Sequence, residues 1–386
     1  MPKPLQPSAF SLQPFLLILI WTCAVSLLPL PASRGQGAGD WPGFRGGPHC
    51  DGVAPCTIPA HPKLIWTREA GSGVESTAAI VGNTVYVGTR KGSLLALRLS
   101  DGAPRWSFKA SDSIAASPRV VGGTVYVGDE SGTFYALSAV NGRLLWKFQT
   151  SSKIISSATP APGSILVGSY DNTLYCLSAR TGRQRWTFRI DAPVHCSPCV
   201  VGNHVMIAGC DGKIRTINVA TGKQQAAASV ETNIGATPAY SEGSVFVGTL
   251  DGQFLSVRIR DGHVNWVCHK GESGEGGSDA GCVSSAAVLG SAVVFSSRAD
   301  AVFRVNASSG ATDWYFHTKD QVESSPVISG GTVFIGSDEG NLYGLGLRDG
   351  SVYWVFKAGA EIKASPAIAH GRMVIGTGDG AIYCFG

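Results

Sequence analysis

The 386-residue sequence has no window with a convincing helical period and no run of strong helix formers, which argues against a helical or α/β fold. Charge is scarce. Lys and Arg number 31 against 27 Asp and Glu, a formal net charge of +4, and the cations form no cluster, so nucleic acid is a poor candidate partner. There is no HExxH, no P-loop and no Gly-rich loop opening a helix, which removes the common metalloprotease and nucleotide-binding signatures. No Ser, His and Asp are spaced so that a simple fold would unite them, and no transmembrane segment follows the N-terminal region.

What is present is a repeat. Trp66, Trp106, Trp146, Trp186, Trp266, Trp314 and Trp354 recur at a spacing of 40, broken by Ala226 in one slot and by a step of 48 between Trp266 and Trp314. A fixed period of this size marks a repeat architecture. Each unit holds four short runs rich in Val, Tyr, Phe, Leu and Trp, separated by glycine turns such as Gly122-Gly123, Ser131-Gly132 and Asn141-Gly142. Such runs read as strands joined by hairpins. The second run, Val125-Tyr126-Val127 or Val333-Phe334-Ile335, is apolar on both faces, as expected of a strand covered on both sides by neighbouring sheets. The implied fold is all-β: an eight-bladed β-propeller of four-stranded antiparallel blades. The chain ends after the third strand of the last unit, so Lys63-Leu64-Ile65-Trp66-Thr67 is expected to supply the missing outer strand and close the ring. The fifth blade is expected to be irregular, because Gln224-Gln225-Ala226-Ala227-Ala228 replaces its tryptophan strand.

The organisation that follows is a secretory signal peptide over residues 1–35, an N-terminal extension over 36–62 and the propeller over 63–386. The leader reading rests on Lys3, the apolar run from Phe15 to Trp21 and the small residues Ala32-Ser33. An uncleaved anchor is one alternative, and a lipoprotein using Cys23 is another. Export makes disulfides available. Cys50–Cys56 is a candidate staple for the extension, and Cys268–Cys282 for the inserted segment.

Several site-like patterns have plainer explanations. Cys196-Ser197-Pro198-Cys199 has CxxC spacing but lies on a strand, where three residues span roughly 10 Å, beyond disulfide reach. Hairpin pairing brings His195 and Cys196 near Cys210, with His204 at the opposite end. Three ligands without a fourth make a weak zinc signal. The recurrent Asp129, Asp171, Asp211, Asp251, Asp338 and Asp379 fit hairpin chemistry better than calcium, because calcium needs oxygens converging on one point. Asn306-Ala307-Ser308 matches a glycosylation sequon. No catalytic, cofactor-binding or metal residue is assigned. The insertion Cys268–Cys282 is the candidate interaction loop, with His269, Lys270, Glu272, Glu275 and Asp279 as its polar residues.

The segments Leu137-Ser138-Ala139-Val140-Asn141-Gly142-Arg143-Leu144-Leu145-Trp146 and Leu177-Ser178-Ala179-Arg180-Thr181-Gly182-Arg183-Gln184-Arg185-Trp186 resemble the tryptophan-docking motif of PQQ-like repeat propellers. The block Asp40-Trp41-Pro42-Gly43-Phe44-Arg45-Gly46, ending Asp51-Gly52-Val53, resembles the opening of exported bacterial members described as BamB-like. That branch implies a cofactor-free scaffold binding protein partners in the cell envelope, periplasmic, outer-membrane-associated or secreted, and here a monomer. The other branch, the quinoprotein alcohol dehydrogenases, implies PQQ with calcium and an adjacent Cys-Cys pair, which this sequence lacks. The alternatives to a scaffold are therefore a PQQ-dependent oxidoreductase and a carbohydrate- or small-ligand-binding propeller.

Overall fold

The computed structural model describes residues 1–3, 39–230, 232–269 and 281–386. The compact unit Gly35–Gly386 contains eight four-stranded antiparallel sheets, and no helix occurs among the described residues. We number the blades by their innermost strands: Ala79–Val81, Arg119–Val121, Thr159–Ala161, Cys199–Val201, Ala239–Ser241, Ala287–Leu289, Val327–Ser329 and Ala367–Ala369. These strands lie side by side around the ring, with the first against the last. Leu64–Glu69 pairs with Ala381–Phe385 and completes the eighth blade, as the sequence implied.

The repeat is visible because each unit solves the same packing problem. The second strands are buried along almost their whole length, and most end in a glycine pressed against the next blade. A Cβ on Gly128 would lie 2.2 Å from Ile154, and one on Gly336 2.2 Å from Ile362, so glycine sets how closely the blades approach. The outermost strands alternate between solvent and the neighbouring blade. In Leu144–Gln149, Trp146 and Phe148 are half-buried and the other four residues are exposed.

Each tryptophan closes a seam. The indole Nε1 of Trp106 donates to Ala139 O at 3.0 Å and that of Trp146 to Ala179 O at 3.1 Å, one blade onward. The ring also covers the next blade's turn glycine, where a Cβ on Gly142 would lie 2.6 Å from Trp106. A register shift precedes the tryptophan in its strand, with Arg105 the extra residue between Pro104 and Trp106. Such a bulge re-aims the side chain toward its docking site.

The tryptophan-free strand Gln224–Ser229 belongs to the fourth blade, not the fifth as the count of tryptophans suggested. That count starts at Trp66, whose strand closes the eighth blade. The slot is not an open hole. Thr216, paired with Ala226, donates its hydroxyl to Ile259 O at 3.2 Å, the carbonyl an indole would otherwise reach.

Candidate functional site

One end of the ring's axis is covered by a segment outside the repeat. Residues 41–58 run across one end of the central channel as a strap. The middle residue of an innermost strand has an N–H facing the axis, and the strap supplies carbonyls to most of them. Ile80 N donates to Trp41 O at 2.7 Å, Val120 N to Pro42 O at 2.8 Å and Val200 N to Pro48 O at 2.8 Å. Tyr240 N donates to His49 O at 2.9 Å, Val288 N to Asp51 O at 2.8 Å and Ile328 N to Gly52 O at 3.0 Å. In the third blade this position is Pro160, which has no N–H to satisfy. The strap thus meets the accounting demand that buried backbone donors be paired. Two fully buried arginines reinforce it. Arg119 reaches Gly46 O, Phe44 O and Ala158 O, and Arg45 reaches Ala286 O at 2.7 Å. Burial pulls both guanidinium pKa values down to about 10.

Above the strap lies a belt of hydroxyls. Thr77 N donates to Ser117 Oγ, Ser117 N to Ser157 Oγ and Ser157 N to Ser197 Oγ. Ser197 N donates to Thr237 Oγ1, Thr237 N to Ser285 Oγ and Ser285 N to Ser325 Oγ. Ser325 N donates to Ser365 Oγ at 3.0 Å, and Ser365 N returns to Thr77 Oγ1 at 3.3 Å. Eight bonds close one circle. Every hydroxyl accepts from the preceding blade, and its own proton remains to be donated. All eight side chains line an axial funnel of about 190 Å³ with Phe44 at its base. The sequence signal for this belt was present: Ser or Thr occupies the equivalent position in all eight repeats.

The mouth of the funnel is charged and asymmetric. Glu75 is bonded by Arg90 at 2.7 Å and Glu323 by Arg298 at 2.7 Å, while Lys363 lies 3.4 Å from Glu361. Asp338 sits beside this group. Burial, then Glu323, raise its pKa to about 6, against the opposing pull of Lys363. His195 also faces the funnel. Its Nδ1 is 3.2 Å from Cys210 Sγ and its Nε2 is 3.4 Å from Cys196 Sγ. The expected neighbourhood of these three is therefore real, but the thiols lie at opposite ring nitrogens and do not converge. No cluster of His, Cys, Asp or Glu suited to a metal occurs among the described residues.

The remaining cysteine candidates divide: the CxxC pair and Cys50–Cys56 are held apart, while Cys268 and Cys282 pack in one core cluster. Cys196 Sγ donates to Ala236 O at 3.1 Å and Cys199 Sγ to His49 O at 3.2 Å, so the CxxC spacing brings no sulfur pair together. Burial pushes the Cys196 thiol up to about 12. The two cysteines of the candidate staple Cys50–Cys56 lie apart. The strap carries Cys50 to the fourth blade and Cys56 to the eighth, where its Sγ accepts from Gly371 N at 3.4 Å. Cys268 faces Phe254 across its hairpin and Cys282 Sγ points to Gly252 O. Of the candidate loop, His269 ends the outer strand of the fifth blade and is exposed. Lys270, Glu272, Glu275 and Asp279 lie outside the described residues. The loop rejoins the ring at Cys282, next to the funnel residue Val283.

Eight four-stranded blades, indole docking at the seams and the PQQ-type repeat define an eight-bladed PQQ-repeat propeller. The sequence profile described as outer membrane protein assembly factor BamB matches residues 58–163, 150–227, 224–315 and 298–385. The chain belongs to that family. Among solved structures, BamB from Moraxella catarrhalis aligns with TM-score 0.72 at 18% identity, covering 84% of this chain and 97% of that one. The quinohemoprotein alcohol dehydrogenase from Comamonas testosteroni aligns with TM-score 0.76 at 13% identity, over 90% and 80%. A europium-containing methanol dehydrogenase gives 0.75 at 14%, over 90% and 98%. At these identities the structural likenesses establish the fold alone. No curated protein sequence matches the chain.

Proposed function

We propose that this protein is a non-catalytic scaffold of the cell envelope that holds a protein partner against the rim of its blades during assembly of outer-membrane proteins. The observation that carries the reading is that exposed apolar side chains recur on the outer strands and sit together on two adjoining ones. Val352, Tyr353 and Val355 on the outer strand of the seventh blade are 47%, 41% and 39% exposed, and Leu64 and Ile65 on the adjoining eighth are 48% and 40% exposed. Both strands are the outermost of their sheets and pair with no further strand among the described residues. An open strand edge flanked by apolar side chains suits strand addition by another chain. The family's name supplies the assembly context.

The chemistry of the funnel supports the non-catalytic side of this reading. A quinone tricarboxylate with calcium calls for cationic side chains around the acid groups and clustered oxygens around the metal. The mouth offers Glu75 and Glu323 against Lys363, with both carboxylates already held by arginine. The residues present do not fit that group.

A small polar ligand in the funnel is a second reading, favoured by the eight hydroxyls lining it. The test of the leading reading is binding of the purified outer-membrane assembly machinery from the same envelope to the wild type and to Tyr353→Lys/Val355→Lys. Weaker binding by the variant supports the rim. Equal binding removes it. A thermal melt with added PQQ and calcium, then with simple sugars, checks the funnel, because a ligand at 100 times its dissociation constant adds about 2.7 kcal/mol.

A further inference from the structure

Cys50 lies where the strap crosses from the fourth blade to the fifth. Pro48 O and His49 O are held by Val200 N and Tyr240 N, and Cys50 itself adopts a φ of 54°, an uncommon region for a residue with a side chain. Its Sγ lies 3.9 Å from the carbonyl of Pro198, and Cys199, the first residue of the innermost strand of the fourth blade, donates its thiol to His49 O at 3.2 Å, so each sulfur faces the residue before the other cysteine. Both side chains are fully buried and belong to one core cluster. The fold does not ask for a cysteine at position 199, since the equivalent residues are Ala79, Arg119, Thr159, Ala239, Ala287, Val327 and Ala367. The neighbouring thiol of Cys196 donates to Ala236 O, and Cys56 lies away at the eighth blade.

We infer that Cys50 and Cys199 are a disulfide-forming pair that ties the axial strap covalently to the fourth blade. The chemistry requires a disulfide oxidant, such as oxidised glutathione or a disulfide oxidase of an oxidising compartment. The Cys50 thiolate attacks one oxidant sulfur, and the other leaves as a thiolate. The Cys199 thiolate then attacks the Cys50 sulfur of the mixed disulfide and expels the second thiolate. Cys50 and Cys199 are oxidised, the oxidant's S–S bond becomes two thiols, and the two protons lost by the cysteines end on them. The surroundings set this order. The neighbouring Cys199 side chain, with the charges of Arg119 and Arg45, holds the Cys50 thiol below its ordinary pKa despite burial. Burial pushes that of Cys199 well above the ordinary value, and a thiolate is the attacking species. Because both sulfurs are enclosed once the strap is seated, oxidation accompanies folding.

The test is a non-reducing peptide map of the full chain refolded with oxidised glutathione, alongside the Cys199→Ala and Cys56→Ala variants. The expected result is a cross-link mapped to Cys50 and Cys199, a wild type lighter by two hydrogens after oxidation, and loss of that cross-link in Cys199→Ala but not in Cys56→Ala. Reduction should lower the urea midpoint of the wild type and leave that of Cys199→Ala unchanged. Recovery of Cys50 as a free, alkylatable thiol in fully oxidised protein, or cross-linked to Cys56, overturns the proposal.

Discussion

The indole Nε1 of Trp66 donates to Leu99 O at 2.8 Å, 33 positions along the chain and one blade around the ring. The same bond recurs from Trp106 to Ala139 and from Trp146 to Ala179, but only Trp66 joins the first blade to a blade built from both chain ends. Its strand is held by Ala381–Phe385 on one side, and its ring covers Gly102 on the other.

Trp66→Ala is therefore expected to destabilise by about 3–5 kcal/mol, the usual range for a buried tryptophan truncated to alanine. Trp66→Phe should cost nearer about 1 kcal/mol, mostly the lost hydrogen bond. Trp146→Ala removes an equivalent contact inside a covalently continuous stretch. Urea unfolding with light scattering separates the two: Trp66→Ala and a deletion of residues 60–70 should open the ring and associate, while Trp146→Ala should unfold as a monomer. A deletion mutant that melts like the intact protein contradicts the closure.

The fourth blade makes the opposite prediction about size. Thr216 already donates to Ile259 O, and Gly262 has settled onto Ala227, where a Cβ would meet the carbonyl at 2.6 Å. Restoring the repeat with Ala226→Trp should overpack this seam by about 1–3 kcal/mol. Adding Thr216→Ala should recover much of that loss, because it clears both the volume and the carbonyl. Double-mutant analysis by denaturant unfolding reads the coupling; strict additivity would show that the slot had not collapsed.

The ring and its closure were legible in the sequence because they rest on local, repeated chemistry. Glycine turns, apolar second strands and a docked tryptophan each leave a mark at fixed spacing. The strap left no such mark. Its bonds run from Pro42 O, His49 O or Gly52 O to strands far along the chain, and backbone carbonyls carry no residue signature. For the same reason Cys50 and Cys56, close in sequence, invited a pairing that the path of the strap separates. The hydroxyl belt was written in the sequence as Ser or Thr in every repeat, yet its meaning depends on the inner strands facing one another across a single axis.

That belt gives a sharp test. Ser197 Oγ accepts from Ser157 N at 3.0 Å and is buried. Ser197→Ala should leave that N–H unpaired and cost about 1–3 kcal/mol, whereas Ser197→Thr should be close to neutral, since Thr77 and Thr237 already serve in the same circle. Chemical denaturation of the two variants measures the difference. Equal stability would mean that water replaces the hydroxyl without loss.

Asp338 links the funnel mouth to pH. Its carboxylate is partly buried, its Oδ1 has no hydrogen-bond partner among the described residues, and its pKa is raised to about 6 by burial first and by Glu323 next, with Glu361 and Asp320 adding and Lys363 opposing. A raised carboxylate pKa means that the folded state keeps a proton the unfolded chain releases. Stability from this group is therefore fully present below the ordinary value of 3.8 and is lost as pH rises through about 6. Asp338→Asn copies the protonated form. Its melting temperature should match the wild type near the acid end of that window and exceed it at neutral pH, with the gap opening between the two values. A gap of constant size across the titration would show that Asp338 ionises normally and that the crowding of Glu323 and Lys363 at the funnel mouth leaves it unaffected.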